Sequence, residues 1–212
     1  YSFAGGGTPS RGNPSYWNGE INWVTVKDLT NFNPNKSQET ITKLGLLNSS
    51  SRLIPSNTLI TSTRMALGKA VIYNVDVAIN QDLKALFLNK NIDLKFMYFW
   101  FQSKESLINE LGGGSTVKGI SLPDLKKIDV LLPDSEKEQK AISEVLTDTD
   151  NLIQATEQLI NKKQLIKTAT MQNLLTGKIR LAEFDTKKTK PSELGEIPSD
   201  WDIVKLGDLT TI

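Results

Sequence analysis

From Glu136 to Thr176 the chain runs for 41 residues without a glycine or a proline. Within that stretch apolar doublets recur seven residues apart, at Val145/Leu146, Leu152/Ile153 and Leu159/Ile160. Leu165/Ile166 follows after a one-residue slip, and Leu174/Leu175 comes later. Pro133-Asp134-Ser135 offers an N-cap with Glu138 at the spacing of a capping box, and Gly177 is a natural stop. A helix of this length extends about 60 Å at 1.5 Å per residue, more than a compact neighbouring domain can cover. Its stripe therefore calls for another helix, with Val145, Leu146, Leu152, Ile153, Leu159, Ile160 and Ile166 as contact residues. The competing reading is a hairpin of two shorter helices, broken within Thr147-Asp148-Thr149-Asp150-Asn151.

Residues 1–132 have a different texture. Glu20–Val26 alternates and is rich in β-branched and aromatic residues, behind a loop carrying Gly12, Asn13, Pro14, Asn18 and Gly19. Thr58–Ser62, Lys69–Tyr73, Val77–Ile79 and Ala85–Leu88 read as further strands. Leu94 to Leu111, with a bulky apolar group every three or four residues, reads as a helix. The expected fold is an α/β (α+β) domain over 1–132, followed by a long coiled-coil-forming helix within 133–180.

Composition narrows the chemistry. With no cysteine and no histidine, thiol nucleophiles, Ser-His-Asp catalysis and His-ligated metals are excluded. The carboxylates form no convincing acid–base pair, since Asp148 and Asp150 point in different directions on a helix. No apolar run approaches the roughly 18 residues of a membrane helix. The expectation is a cytoplasmic, non-catalytic protein that needs no cofactor and meets no membrane. A formal charge of +1 gives no global pull toward a polyanion, so any nucleic-acid contact must be local.

Four segments have the groups for such contact. Gly5-Gly6-Gly7-Thr8-Pro9-Ser10-Arg11 lacks the Gly-Lys-Ser/Thr of a nucleotide loop but can present Ser10 and Arg11 to a phosphate backbone, or be a plain loop. Thr61-Ser62-Thr63-Arg64-Met65-Ala66-Leu67-Gly68-Lys69 sets hydroxyls and cations at a hairpin tip. Asn80-Gln81 ends a strand with two amides, suited to adenine or to capping a turn. Gly112–Gly119, with Lys118, serves equally as a binding loop or a hinge.

Together these segments resemble the specificity subunit of type I restriction–modification systems. Gly6-Gly7-Thr8-Pro9-Ser10, Tyr16-Trp17-Asn18-Gly19-Glu20-Ile21-Asn22-Trp23, Gly45-Leu46-Leu47-Asn48-Ser49-Ser50 and Ala78-Ile79-Asn80-Gln81 carry the likeness in the first part. Pro133…Glu138-Gln139-Lys140-Ala141-Ile142 and Leu174-Leu175-Thr176-Gly177-Lys178-Ile179-Arg180-Leu181 carry it beyond the junction. Gly195-Glu196-Ile197-Pro198…Trp201…Leu206-Gly207-Asp208-Leu209 resembles the lead-in of a target-recognition domain.

The resemblance implies a recognition domain over 1–132, a spacer and dimerisation helix over 133–180, a linker over 181–194, and a lead-in strand segment over 195–212. It also implies double-stranded DNA, methyltransferase (M) subunits and a restriction/motor (R) subunit as partners, with S-adenosylmethionine supplied by the methyltransferase. Arg11, Lys27, Arg52, Lys69 and Lys118 would hold phosphates, while Thr61, Ser62, Arg64, Asn80 and Gln81 would face base edges. A full-length subunit has two recognition domains and two spacer helices where this sequence has one of each, and the lead-in stands at the end instead of the start. Either 195–212 opens a second domain, or the chain is a circularly permuted half-subunit whose tail completes the domain of an antiparallel partner in a homodimer. The reading from a different class is a dimeric scaffold or protein-docking module that binds no DNA.

Overall fold

The computed structural model describes residues 2–113 and 118–210. Gly114, Ser115, Thr116 and Val117 of the glycine-rich loop, together with Tyr1, Thr211 and Ile212, lie outside the described residues. Two compact units are formed, residues 1–148 and residues 149–212.

The first unit is built on two four-stranded sheets. Strands β1 (Ser2–Gly5), β2 (Trp17–Val24), β3 (Glu39–Ile41), β4 (Arg52–Ile54), β5 (Leu59–Ser62), β6 (Ala70–Ile72), β7 (Val77–Ile79) and β8 (Leu83–Phe87) alternate with short helices α1 (Val26–Thr30) and α2 (Lys43–Leu47). One sheet has the order β1-β8-β5-β6 and is wholly antiparallel. The other has the order β3-β2-β7-β4, with β2 and β7 parallel and the outer pairs antiparallel.

Alternation along the strands decides the layering. Val77, Ile79, Leu83 and Ala85 point into a core shared by both sheets with Val24, Ile54 and Ile60. On the far face of the first sheet, Leu59 and Leu86 pack with Met97, Phe101 and Ile108. On the far face of the second, Trp23, Ile41 and Ala78 meet Trp17, Ile21 and Leu46. β5 is buried on both faces, which is why Thr58–Ser62 reads as a near-continuous run. The Tyr73 hydroxyl is buried in the shared core with no hydrogen-bond partner among the described residues. Burial, helped by the nearby Asp28 carboxylate, raises its pKa and keeps it neutral.

Several expectations shift. The expected helix over 94–111 is two helices, α3 (Leu94–Ser103) and α4 (Glu105–Leu111), with Lys104 between them at φ −105° and ψ 5°. The break seats Ile108 in the core beside Phe101, and a Cβ on Gly68 would come 2.8 Å from the Glu105 Cα. β1, β3 and β4 escape sequence reading because they lack the uninterrupted apolar run that marks the equally short β6 and β7. After α5 (Leu122–Leu125), the long stretch forms one unbroken helix, α6 (Glu136–Leu175), so the hairpin reading is set aside.

The start of α6 is locked onto the first unit by a buried amide. Gln139 Oε1 accepts from the Asp93 N–H at 2.9 Å, while Gln139 Nε2 donates to the Pro133 carbonyl at 2.8 Å and the Asn91 carbonyl at 3.3 Å. One turn on, the buried Ser143 hydroxyl donates to Asp93 Oδ1 at 2.9 Å. Asp93 also N-caps α3 through the Phe96 N–H at 2.7 Å, so the two helices share a fixed origin.

In the second unit Gly177, at φ +71°, ends α6. A Cβ there would sit 2.5 Å from the Pro198 ring, which leaves room for glycine alone. Hairpin β9 (Thr189–Ser192) and β10 (Gly195–Pro198) follows, fastened by Arg180 to Asp200 at 2.7 and 2.9 Å and by Lys190 to Asp202 at 3.0 Å. Within the lead-in strand segment expected over 195–212, no strand follows β10 among the described residues. Residues 201–205 have no regular structure, and Leu206–Leu209 make a 3-10 turn.

Replacing Gln139 by Ala leaves the Asp93 N–H and the Pro133 carbonyl without their partner in a half-buried site, at a cost of about 1–3 kcal/mol. Urea unfolding of the variant against Lys140→Ala, an exposed neighbour, should show a lower midpoint for Gln139→Ala alone.

Candidate nucleic-acid interface

Gly6 and Gly7 are needed for fit. A Cβ on Gly6 would lie 1.8 Å from the Ile79 carbonyl oxygen, and one on Gly7 1.9 Å from the Ser50 hydroxyl. The Gly7 N–H donates to the Ile79 carbonyl at 3.0 Å, and the Gly7 carbonyl accepts from the buried Trp23 indole at 3.1 Å and the Ser51 hydroxyl at 2.5 Å. The glycine loop is therefore stitched across the ends of β2, β4 and β7. From this anchor Thr8 donates to the Gln81 side chain at 2.7 Å.

Gln81 begins a run of exposed and half-buried polar groups along the same ends. Lys84 donates to the Gln81 carbonyl at 2.7 Å, and its ammonium lies 3.4 Å from where a Gly5 Cβ would stand. Burial lowers the Lys84 pKa against the support of Asp82, and neighbouring Arg64 lowers it further. Arg64 is two-thirds exposed, 3.9 Å from Asp82. Met65 is exposed in the left-handed region at φ 66°, and its N–H donates to the Lys118 carbonyl at 3.0 Å. Thr63, Arg64, Gly119 and Ser121 border a polar recess of about 440 Å³. Thr8, Gln81, Lys84, Arg64 and Lys118, separated by up to 110 positions in sequence, are thus brought near one another through these contacts and those of Asp82 and Met65.

The other expected residues fall into two groups. Thr61, Ser62 and Asn80 are buried with their polar atoms engaged inside the domain. Thr61 donates to the Lys69 carbonyl at 2.8 Å, Ser62 to the Arg64 carbonyl, and Asn80 to Asp82 at 3.1 Å. They shape the platform under Arg64 and Gln81 and do not reach a groove as placed. Their hydroxyls and amide look identical in sequence to surface ones, and only strand pairing turns them inward.

Ser10 and Arg11 are exposed, but Arg11 is committed. It forms a two-pronged pair with Glu39, one contact at 2.9 Å, and lies flat on Trp17 at 3.7 Å from the ring centre. The guanidinium hydrogen bond holds the Glu39 carboxyl below its ordinary range. Lys27 adds to that field and is exposed, as is Arg52, which is paired in register with Ile79. Lys69 is half-buried. Thr8, Lys84 and Met65 were not singled out from the sequence. Only Met65 carried a signal, as the centre of the hairpin tip.

A family profile described as "Type I restriction modification DNA specificity domain" matches residues 2–164. The chain belongs to that family. It is 29% identical over 226 residues to the type I restriction enzyme MjaIX specificity subunit of Methanocaldococcus jannaschii, covering 99% of this chain and 49% of the relative. It is 31% identical over 155 residues to the EcoR124I/EcoR124II specificity subunit of Escherichia coli, covering 70% and 38%. The fold matches a crystal structure of the S subunit from M. genitalium with TM-score 0.54 at 19% identity, over 81% of this chain and 42% of that one. A chain from a structure of the type I R-M system aligns with TM-score 0.61 at 18% identity, over 80% and 41%. This family member therefore spans about half the length, or less, of the relatives it matches.

Because Arg11 lowers the Glu39 pKa, the pair's contribution is complete above the ordinary glutamate value of about 4.3 and is lost as pH falls through the lower folded value. At this exposed position it amounts to no more than about 1 kcal/mol. Tryptophan fluorescence should show a step below that pH as Arg11 leaves Trp17, and Glu39→Gln should remove the step.

Proposed function

We propose that the chain is the sequence-reading subunit of a type I restriction–modification complex. The first unit would meet duplex DNA through Thr8, Gln81, Lys84, Arg64 and Lys118. The observation that carries this is the convergence of amide, hydroxyl and cationic groups on a platform held rigid by Trp23, Asn80 and Ser62. Arg64 and Gln81 have the chemistry to read base edges, and Lys118, Lys27, Arg52 and Lys69 that of phosphate contacts. Arg11, paired to Glu39, is better placed to stiffen the loop. In this reading the chain selects the site and does no chemistry. Methylation and cleavage fall to M and R partners in the cytoplasm. Among the described residues no helix is long and apolar enough to cross a membrane.

The unit of function is a homodimer through α6. The stripe residues Val145, Leu146, Leu152, Ile153, Leu159, Ile160 and Ile166 are between 38% and 68% exposed in the single chain. Charge sets the polarity of pairing. Between Ala141 and Asn161 there are acidic residues (Glu144, Asp148, Asp150, Glu157) and no Lys or Arg, whereas from Gln158 to Leu175 there are Lys162, Lys163 and Lys167 and no Asp or Glu. Parallel copies would set acid against acid; antiparallel copies set acid against base, and so favour a left-handed two-stranded coil with two-fold symmetry. Two recognition domains would then address an inverted repeat, with α6 setting the spacing. The same stripe is what a DNA-free scaffold would use, so DNA binding is the discriminating measurement.

Arg64→Ala, assayed with the methyltransferase partner across a salt series, should lose roughly 10- to 100-fold of sequence preference with little change in salt slope. Uniform weakening with a shallower slope would make Arg64 a phosphate contact, and no sequence-dependent binding by the parent complex would leave the scaffold reading. Reversing Lys162, Lys163 and Lys167 to Glu should give a monomeric mass by light scattering. Mixing in a chain whose Glu144, Asp148 and Asp150 are reversed to Lys should restore a dimer.

A further inference from the structure

One apolar side chain stands among the polar groups gathered around Arg64. Met65 is 64% exposed at the tip between β5 and β6, beside the exposed Arg64 guanidinium, whereas Leu67 turns into the core and Ala66 packs at its margin. Its backbone lies in the left-handed region, at φ 66°. The other non-glycine residues with positive φ among the described residues are Asn18, Asn57 and Lys187, so Met65 is the apolar exception. Asparagine tolerates that region through its short polar side chain, but a methionine there is strained. At Gly68, the other left-handed residue of this tip, the side chain is dispensed with. At position 65 it is kept.

Hydrogen bonds on both sides hold this conformation. The Met65 N–H donates to the Lys118 carbonyl at 3.0 Å, and the Met65 carbonyl accepts from the Leu67 N–H at 2.9 Å. The Ser62 hydroxyl clamps the preceding residue, accepting from the Arg64 N–H at 3.2 Å and donating to the Arg64 carbonyl. An exposed thioether chain on so fixed a backbone is presented before any ligand arrives. On the major-groove edges of duplex DNA the groups are hydrogen-bond donors and acceptors, with one apolar feature, the C5 methyl of thymine. Neighbouring Cα atoms stand about 3.8 Å apart and successive base pairs about 3.4 Å, so Arg64 and Met65 can address the same pair or adjacent ones.

We infer that Met65 is a specificity-determining residue that reads the C5 methyl group of a thymine in the major groove. This rests on the DNA-reading role proposed above. It adds an apolar contact to the hydrogen bonds offered by Arg64 and Gln81, and it gives the strained backbone at the tip a use. Taking one methyl group out of water against the Met65 chain is worth about three- to fivefold in affinity.

The complex with the methyltransferase partner is first used to select its site from a randomised duplex pool. Each thymine of that site is then replaced singly by uracil, which keeps the pairing and every groove donor and acceptor and removes the methyl alone. At one thymine the parent complex should lose about three- to fivefold in affinity. Met65→Gly should lose the same amount on the thymine duplex and nothing more on the uracil duplex. Its thermal midpoint should stay near the parent's, because glycine takes this φ freely. Met65→Leu, which restores an apolar chain, should keep the preference for thymine. A site without thymine, a parent complex indifferent to uracil at every thymine, or a uracil penalty undiminished in Met65→Gly overturns the assignment and leaves the sequence-reading role standing. If no sequence emerges from the pool, the sequence-reading role falls and this contact with it.

Discussion

The Gln139 amide ties the helical and recognition parts of the molecule together. It is buried, it satisfies three backbone groups that would otherwise be stranded, and it does so at the second turn of α6. A helix can act as a spacer only if its origin is rigid, because a small angular play at one end becomes a large displacement at the other. Neutral hydrogen bonds from a buried side chain supply that rigidity without the desolvation cost of a buried ion pair. Asp93 extends the lock by capping α3 and accepting from Ser143 at the same time.

A second set of polar contacts prepares the surface proposed to meet DNA. Trp23 and Ser51 converge on the Gly7 carbonyl, and the two glycines let the loop lie against the end of β7 at distances no side chain could share. Buried polar residues next to the surface hold turns in place: Thr61 and Ser62 fix the hairpin that carries Arg64, and Asn80 fixes the turn that carries Gln81. Readers of DNA gain specificity when donors and acceptors are held before contact, since freezing them afterward costs side-chain entropy. The Arg11–Trp17–Glu39 stack works in the same direction.

Among the described residues, most of the exposed large apolar side chains lie on α6 and the segment after it. A stripe of β-branched and leucine side chains runs along the 40 residues of α6, and it is this surface that the proposed dimer would bury. The segregation of acid and base along that helix would give such a contact a direction as well as a driving force.

The long helix and its stripe were legible in the sequence because helical periodicity and the absence of Gly and Pro are local properties that accumulate over forty residues. Long-range pairing decided the rest. It interrupted the helix at Lys104, brought Thr8, Gln81, Lys84, Arg64 and Lys118 near one another, and sent Thr61, Ser62 and Asn80 inside while leaving Arg64 out. A hydroxyl or an amide has the same chemistry in every sequence context, and which face of a strand it occupies follows from register with strands tens of residues away. For that reason the chain alone determined its family and its long helix, and only the folded domain determined which polar groups are available to a ligand.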